Sequence, residues 1–333
     1  MGKRRGRGGL TAGAILTLLT LLLIPSLAFA DFFRVHVEEG KRKTSSGDRV
    51  GYALYVPVPD PGLPAPPWPT VMLLHGFGRD HRYHAKNAEY MAKRGIVVLT
   101  PDMTRLTFGR PAQRGNISGT VDHIRWLIRR SGDDRDPLKG LIDPGRIGLA
   151  GHSAGGAVAF EAAVEAQARN IAVGGLCLLD AVPWNRTFNR ASTLAPTPFA
   201  SFRSEPGVCN FQGEVRALLH QLSFSTEDVL ITGSHHCDAE NPTDRTCVAV
   251  CWGKSSKGQH LYQRLMYLFF QDAFEVASVE KVSTNYGEVL QALELQGAIG
   301  RTPIQERLEE PDQEGTWSRR AGSIPRNETP PTF

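Results

Sequence analysis

The chain has 333 residues, 41% of them hydrophobic and 22% charged, which suits one large α/β domain and requires no second one. Its formal charge of +4 is supplied by Lys3, Arg4, Arg5 and Arg7; without them 34 basic residues face 34 acidic ones. That balance gives little support to a basic face for nucleic acid.

Residues 1–30 read as a signal peptide. The basic run Lys3 to Arg7 precedes an apolar stretch from Leu10 to Ile24, Pro25-Ser26 breaks it, and Ala28-Phe29-Ala30 forms a small-residue cleavage site before Asp31. The alternative is an uncleaved anchor, because Leu10 to Ala30 is long enough to span a bilayer. Either way the folded body is expected outside the cytoplasm, with membrane contact only if the segment stays attached. No Cys follows the apolar stretch at the cleavage site, which argues against a lipid anchor.

Short apolar runs then alternate with helical spacing. Phe32 to Val37 predicts an edge strand and Gly51 to Val56 a second. Pro57 to Pro69 holds seven prolines and predicts a loop. Val71 to Leu74, Ile96 to Leu99, Ile147 to Ala150 and Val173 to Leu179 read as buried parallel strands. Pro198 to Phe202 and Val229 to Thr232 continue the series. Tyr83 to Arg94, Ser118 to Arg130 (capped by Ser118) and His260 to Val276 have helical spacing. Beyond Gly297 the chain turns polar, so residues 31–300 are expected to form the catalytic domain and residues 301–333 a disordered tail. The implied fold is α/β: a mostly parallel central sheet with helices on both faces and functional groups at the carboxyl ends of its strands.

The stretch Arg146 to Gly156 runs from an apolar strand through a tight turn into a small-residue helix. Inside it, Gly151-His152-Ser153-Ala154-Gly155 has the G-x-S-x-G form. A sharp turn there lifts the serine hydroxyl to a helix N-terminus, where the dipole and free N–H groups favour developing negative charge. A serine needs a base, and the base needs an orienting acid. Asp180, at the end of the next strand, and Glu205, after the strand beyond, are candidate acids, and the adjacent His235 and His236 are candidate bases.

These parts resemble the α/β-hydrolase superfamily and, within it, chlorophyllase-like and polyester-hydrolase-like bacterial serine esterases. The resemblance covers roughly Tyr52 to Phe274. It rests on His75-Gly76-Phe77-Gly78, Arg94 to Asp102, Gly151 to Gly156, Leu178-Leu179-Asp180-Ala181-Val182 and Gly233 to Asp238. It implies a Ser153–His236–Asp180 triad acting on carboxylic esters through an acyl-enzyme, with no metal and no cofactor. Ala181 stands where the chlorophyllase-like members have proline. The oxyanion hole is expected from the backbone N–H groups of Ala154 and Phe77, with Phe77 also walling the acyl pocket. Competing readings are a silent hydrolase fold that binds a lipid or protein, and an acyltransferase with the same triad. A dienelactone-hydrolase reading is weakened because position 153 is serine, not cysteine.

Of five cysteines, Cys177 lies in an apolar run and reads as a buried free thiol. Cys209, Cys237, Cys247 and Cys251 remain for disulfides, with pairing open; a bridge at Cys237 would hold the histidine loop. A zinc site from His235, His236, Cys237, Cys247 and Cys251 ranks low, since no paired C-x-x-C spacing supports it. His75 is expected to buttress its loop. His152 either lines the pocket floor or packs. His81 to His84 read either as substrate contacts or as a solvated helix start, Trp184 either flanks the site or packs a loop, and Asn185 and Asn327 match glycosylation acceptors.

Overall fold

The computed structural model describes residues 33–61, 63–104, 110–276 and 285–304. The expected signal peptide and residues 305–333 lie outside them. Nine strands form one sheet: β1 (Val35–Lys43), β2 (Arg49–Pro57), β3 (Trp68–Leu74), β4 (Val97–Pro101), β5 (Ile142–His152), β6 (Gly175–Leu179), β7 (Phe199–Arg203), β8 (Thr226–Ile231) and β9 (Ile299–Ile304). Their order is β1-β2-β4-β3-β5-β6-β7-β8-β9. The six strands from β4 to β8 pair in parallel; β1, β2 and β9 pair antiparallel at the two edges.

Burial on both faces explains the apolar runs. Val71 to Leu74, Val97 to Leu99 and Leu176 to Leu179 are all buried, so these strands have no solvent face to mark with polar residues. Successive side chains of a strand point to opposite faces. On β5, Ile147 and Leu149 join the core with Val121 and Ile124 of helix α2 (Arg110–Gly132) and Val158 and Ala162 of α3 (Ala154–Ala168). Gly148 between them faces the Phe270 and Phe274 rings, Phe270 belonging to the long helix Ser256–Ala273. Helices therefore cover both faces.

Several boundaries differ from expectation. Helix α2 begins at Arg110, not Ser118. Ser118 sits inside it, and its hydroxyl donates back to the Arg114 carbonyl at 3.0 Å instead of capping a terminus. The proline-rich loop ends sooner than predicted, because Trp68 and Pro69 already belong to β3. The largest correction is at the C-terminal end. Arg301 to Ile304, assigned to the tail, complete β9 against β8, with Ile299 and Ile304 buried. An edge strand tolerates Pro303 and polar residues, so its sequence carries little apolar signal.

Candidate active site

Strand β5 leads straight into helix α3, and Ser153 stands at the joint with φ 55° and ψ −126°. A non-glycine residue in that region is strained and persists only where its surroundings dictate it. The surroundings are backbone. A Cβ on Gly151 would sit 2.2 Å from the Gly155 carbonyl oxygen, and one on Gly155 would sit 2.3 Å from the His75 carbonyl oxygen. The Ser153 N–H donates to Leu179 O at 3.1 Å, and the Ser153 carbonyl accepts from Gly156 and Val182. The turn is thereby locked between the ends of β3, β5 and β6. Ala154, the first residue of α3, presents a helix N-terminal N–H there.

Asp180 follows β6 and is completely buried. Its Oδ1 accepts the Ser204 N–H (2.9 Å) and the Asn210 amide (3.2 Å). Its Oδ2 accepts the Ser204 hydroxyl (2.7 Å) and His236 Nδ1–H (2.6 Å). Burial alone would raise its pKa, but the bond to His236 and its charge, with the two Ser204 bonds, hold it below the usual value. An ionised carboxylate only accepts, so the proton of His236 resides on Nδ1. That leaves the Nε2 lone pair able to accept a proton.

His236 opens a 3₁₀ turn, His236–Ala239, after β8. Two other supports reach it. His152, the residue before Ser153, donates from Nε2 to the His236 carbonyl at 3.0 Å, and the two rings lie 4.6 Å apart. Burial and the nearby His236 push the His152 pKa far down, so it packs as a neutral ring. Beyond it, Glu240 and Arg79 pair at 2.9 Å, and Arg79 also reaches Asp244 at 3.1 Å. This ties the turn after β3 to the histidine loop.

The four remaining cysteines pair as Cys237–Cys247 and Cys209–Cys251. One bridge begins at the residue after His236; the other joins the Asn210 loop to the segment after the short helix Arg245–Val250. The zinc alternative is corrected here, because its three thiols are consumed in disulfides. Cys177 is free and buried.

The alternatives are placed elsewhere. Glu205 accepts the Gly233 N–H at 3.0 Å, and the carboxylate on His236 is that of Asp180. The His235 ring lies against Gly253, where a Cβ would meet it at 2.5 Å. A Cβ on Gly76 would lie 3.2 Å from Ser153 Cβ, so the turn bearing Phe77 passes directly beside the serine. The Phe77 side chain is half exposed at the mouth of the site. His75 buttresses this turn: its Nδ1–H donates to Gly76 O at 2.9 Å and its Nε2 accepts Met103 N–H at 2.9 Å. Trp184 instead holds Glu161 of α3 at 2.8 Å and packs its loop. His81 pairs with Asp102 at 2.7 Å, and Tyr83 donates to Asp244 at 2.7 Å. Sequence reasoning missed Arg79, Ser204, Asn210 and Glu240. Arg79 directly follows the His75 to Gly78 motif and Ser204 directly precedes Glu205, which are their only sequence signals.

The alpha/beta hydrolase family model matches residues 71–271, well over half of the chain. The chain belongs to the alpha/beta hydrolase family. No curated protein matches it.

Proposed function

We propose that this protein is an exported carboxylic-ester hydrolase working through Ser153, His236 and Asp180. The observation that carries the reading is the buried 2.6 Å bond from His236 Nδ1 to Asp180, beside a serine held in a strained strand-to-helix turn. His236 Nε2 takes the hydroxyl proton as Ser153 Oγ attacks the ester carbonyl. The N–H groups of Ala154 and Phe77 hold the oxyanion. The tetrahedral intermediate expels the alcohol, which receives the proton from His236, and leaves an acyl-Ser153. Water, deprotonated by the same imidazole, then releases the carboxylic acid. The partner is thus an ester of a small molecule, lipid or polyester.

The Leu178 to Val182 and Gly233 to Asp238 segments support a place beside the chlorophyllase-like and polyester-hydrolase-like bacterial esterases. Export is supported by the signal-type sequence of residues 1–30 and by two disulfides, which persist in oxidising compartments.

A p-nitrophenyl ester series from acetate to palmitate tests the reading. Turnover is expected, with a loss of roughly 10⁴-fold or more in Ser153→Ala. Absence of turnover together with no fluorophosphonate labelling of Ser153, or undiminished turnover by the variant, contradicts it.

A further inference from the structure

The loop carrying Asn210 has two opposite faces. Its Asn210 side chain points inward, donating to Asp180 and to Glu205 O, while Gly207 and Gly213 N–H groups close around its Oδ1 at 2.8 and 3.1 Å. The next residue, Phe211, is 64% exposed, and Val208 is 63% exposed. Cys209 bridges this loop to Cys251, with Cα atoms 5.5 Å apart. On that side of the bridge Val250 is 62% and Trp252 79% exposed, and Gly253 supports the His235 ring. Large apolar side chains are uncommon in such positions unless they meet something.

The backbone singles out the two aromatic residues. Phe211 has φ 48° and Trp252 φ 56°, both left-handed. Bulky side chains rarely adopt that conformation; glycine or asparagine would fit it better. Both strained residues lie within two positions of the same disulfide, and both display their rings to solvent. Charge adds a direction. Residues 206–213 carry no charged side chain, while residues 245–257 carry Arg245, Lys254 and Lys257, all exposed, and no acid.

We propose that the Cys209–Cys251 bridge builds an apolar rim of Val208, Phe211, Val250 and Trp252 beside the catalytic groups, which docks the protein on an anionic lipid–water interface of aggregated ester. The inference rests on the ester-hydrolase reading above and names its substrate class. Exposed Trp and Phe enter the boundary between headgroups and acyl chains, and flanking Lys and Arg add attraction to negative charge. Ester hydrolysis itself releases carboxylates, so a surface under attack becomes more anionic as product accumulates. Asn210, between Val208 and Phe211 in sequence, donates to Asp180, so the loop that carries the rim also holds the acid of the proposed triad.

The test compares full-length protein with Phe211→Asn/Trp252→Asn on two substrates: dissolved p-nitrophenyl acetate, and tributyrin followed across its solubility limit. Asparagine suits both backbone positions, so the variant is expected to fold, checked by an undiminished Tm. The wild type is expected to accelerate when the emulsion forms. The variant is expected to lose roughly tenfold on the emulsion while keeping its rate on the dissolved ester. In parallel, Arg245→Gln/Lys254→Gln/Lys257→Gln is expected to weaken adsorption to vesicles of equal parts phosphatidylcholine and phosphatidylglycerol, but not to phosphatidylcholine alone. Equal emulsion rates for wild type and the double variant overturn the proposal. So does a wild-type dimer that the double variant dissolves without changing emulsion activity, which assigns the rim to a second copy of the chain. Failure of the wild type on both substrates instead removes the hydrolase reading.

Discussion

The turn around Ser153 and the cradle around Asp180 and His236 are built in opposite ways. The turn around Ser153 is made from one contiguous stretch, and its geometry is enforced by backbone against backbone at Gly151 and Gly155. The cradle around Asp180 and His236 is assembled from Ser204, Asn210, Glu240 and Arg79, groups far apart in sequence, and two disulfides hold its loops. A turn of the first kind tolerates no added atom. A cradle of the second kind should weaken by degrees as its ties are removed.

That contrast can be broken at several points. The largest effect is expected from Gly155→Ala, whose new methyl would meet two carbonyl oxygens, of His75 and Leu74, at 2.3 and 2.7 Å. Loss of soluble folded protein is the expected outcome; a stable, active variant would show that the turn yields. Removing Cys209–Cys251, which closes a separation of 42 residues, is expected to cost about 4 kcal/mol by loop-closure entropy. Cys237–Cys247, with a separation of 10, is expected to cost about 3 kcal/mol by the same argument. Denaturant unfolding of the Cys→Ser pairs measures both, and a reversed order would contradict the entropic account.

A smaller effect is expected from pH. Burial pushes the His84 and His123 pKa values down to about 3 from an ordinary 6.5. Their folded forms stay neutral where the unfolded chain takes up protons. Their stabilising contribution is complete above pH 6.5, and it is lost progressively as pH falls toward 3. Near pH 5 each is expected to have lost about 2 kcal/mol. A Tm that stays flat from neutral pH to about pH 4 would contradict that assignment.

The same contrast explains what the sequence made legible. The turn could be read because all its requirements fall within eleven residues: an apolar strand, glycines at fixed offsets and a small-residue helix. Asp180 was legible because it ends the next strand, and strand ends converge on one edge. Ser204 and Asn210 lie 24 and 30 residues from the acid they hold, and no periodicity links them to it. The cysteine pairing depends on which loops meet in space, which spacing does not encode. Strand β9 escaped notice because its stability comes from pairing with β8, with only Ile299 and Ile304 buried at its ends.

Glu205 follows β7 as Asp180 follows β6, so the two carboxylates are the pair to separate. Measuring kcat/KM for Asp180→Asn and Glu205→Gln on one dissolved ester does so directly. Asp180→Asn keeps the shape but removes the acceptor that fixes the His236 tautomer, so a loss of roughly 10⁴-fold is expected. Glu205→Gln loses only its role at Gly233 and is expected to stay within roughly tenfold of wild type. A crippled Glu205→Gln beside an active Asp180→Asn would contradict the proposed triad.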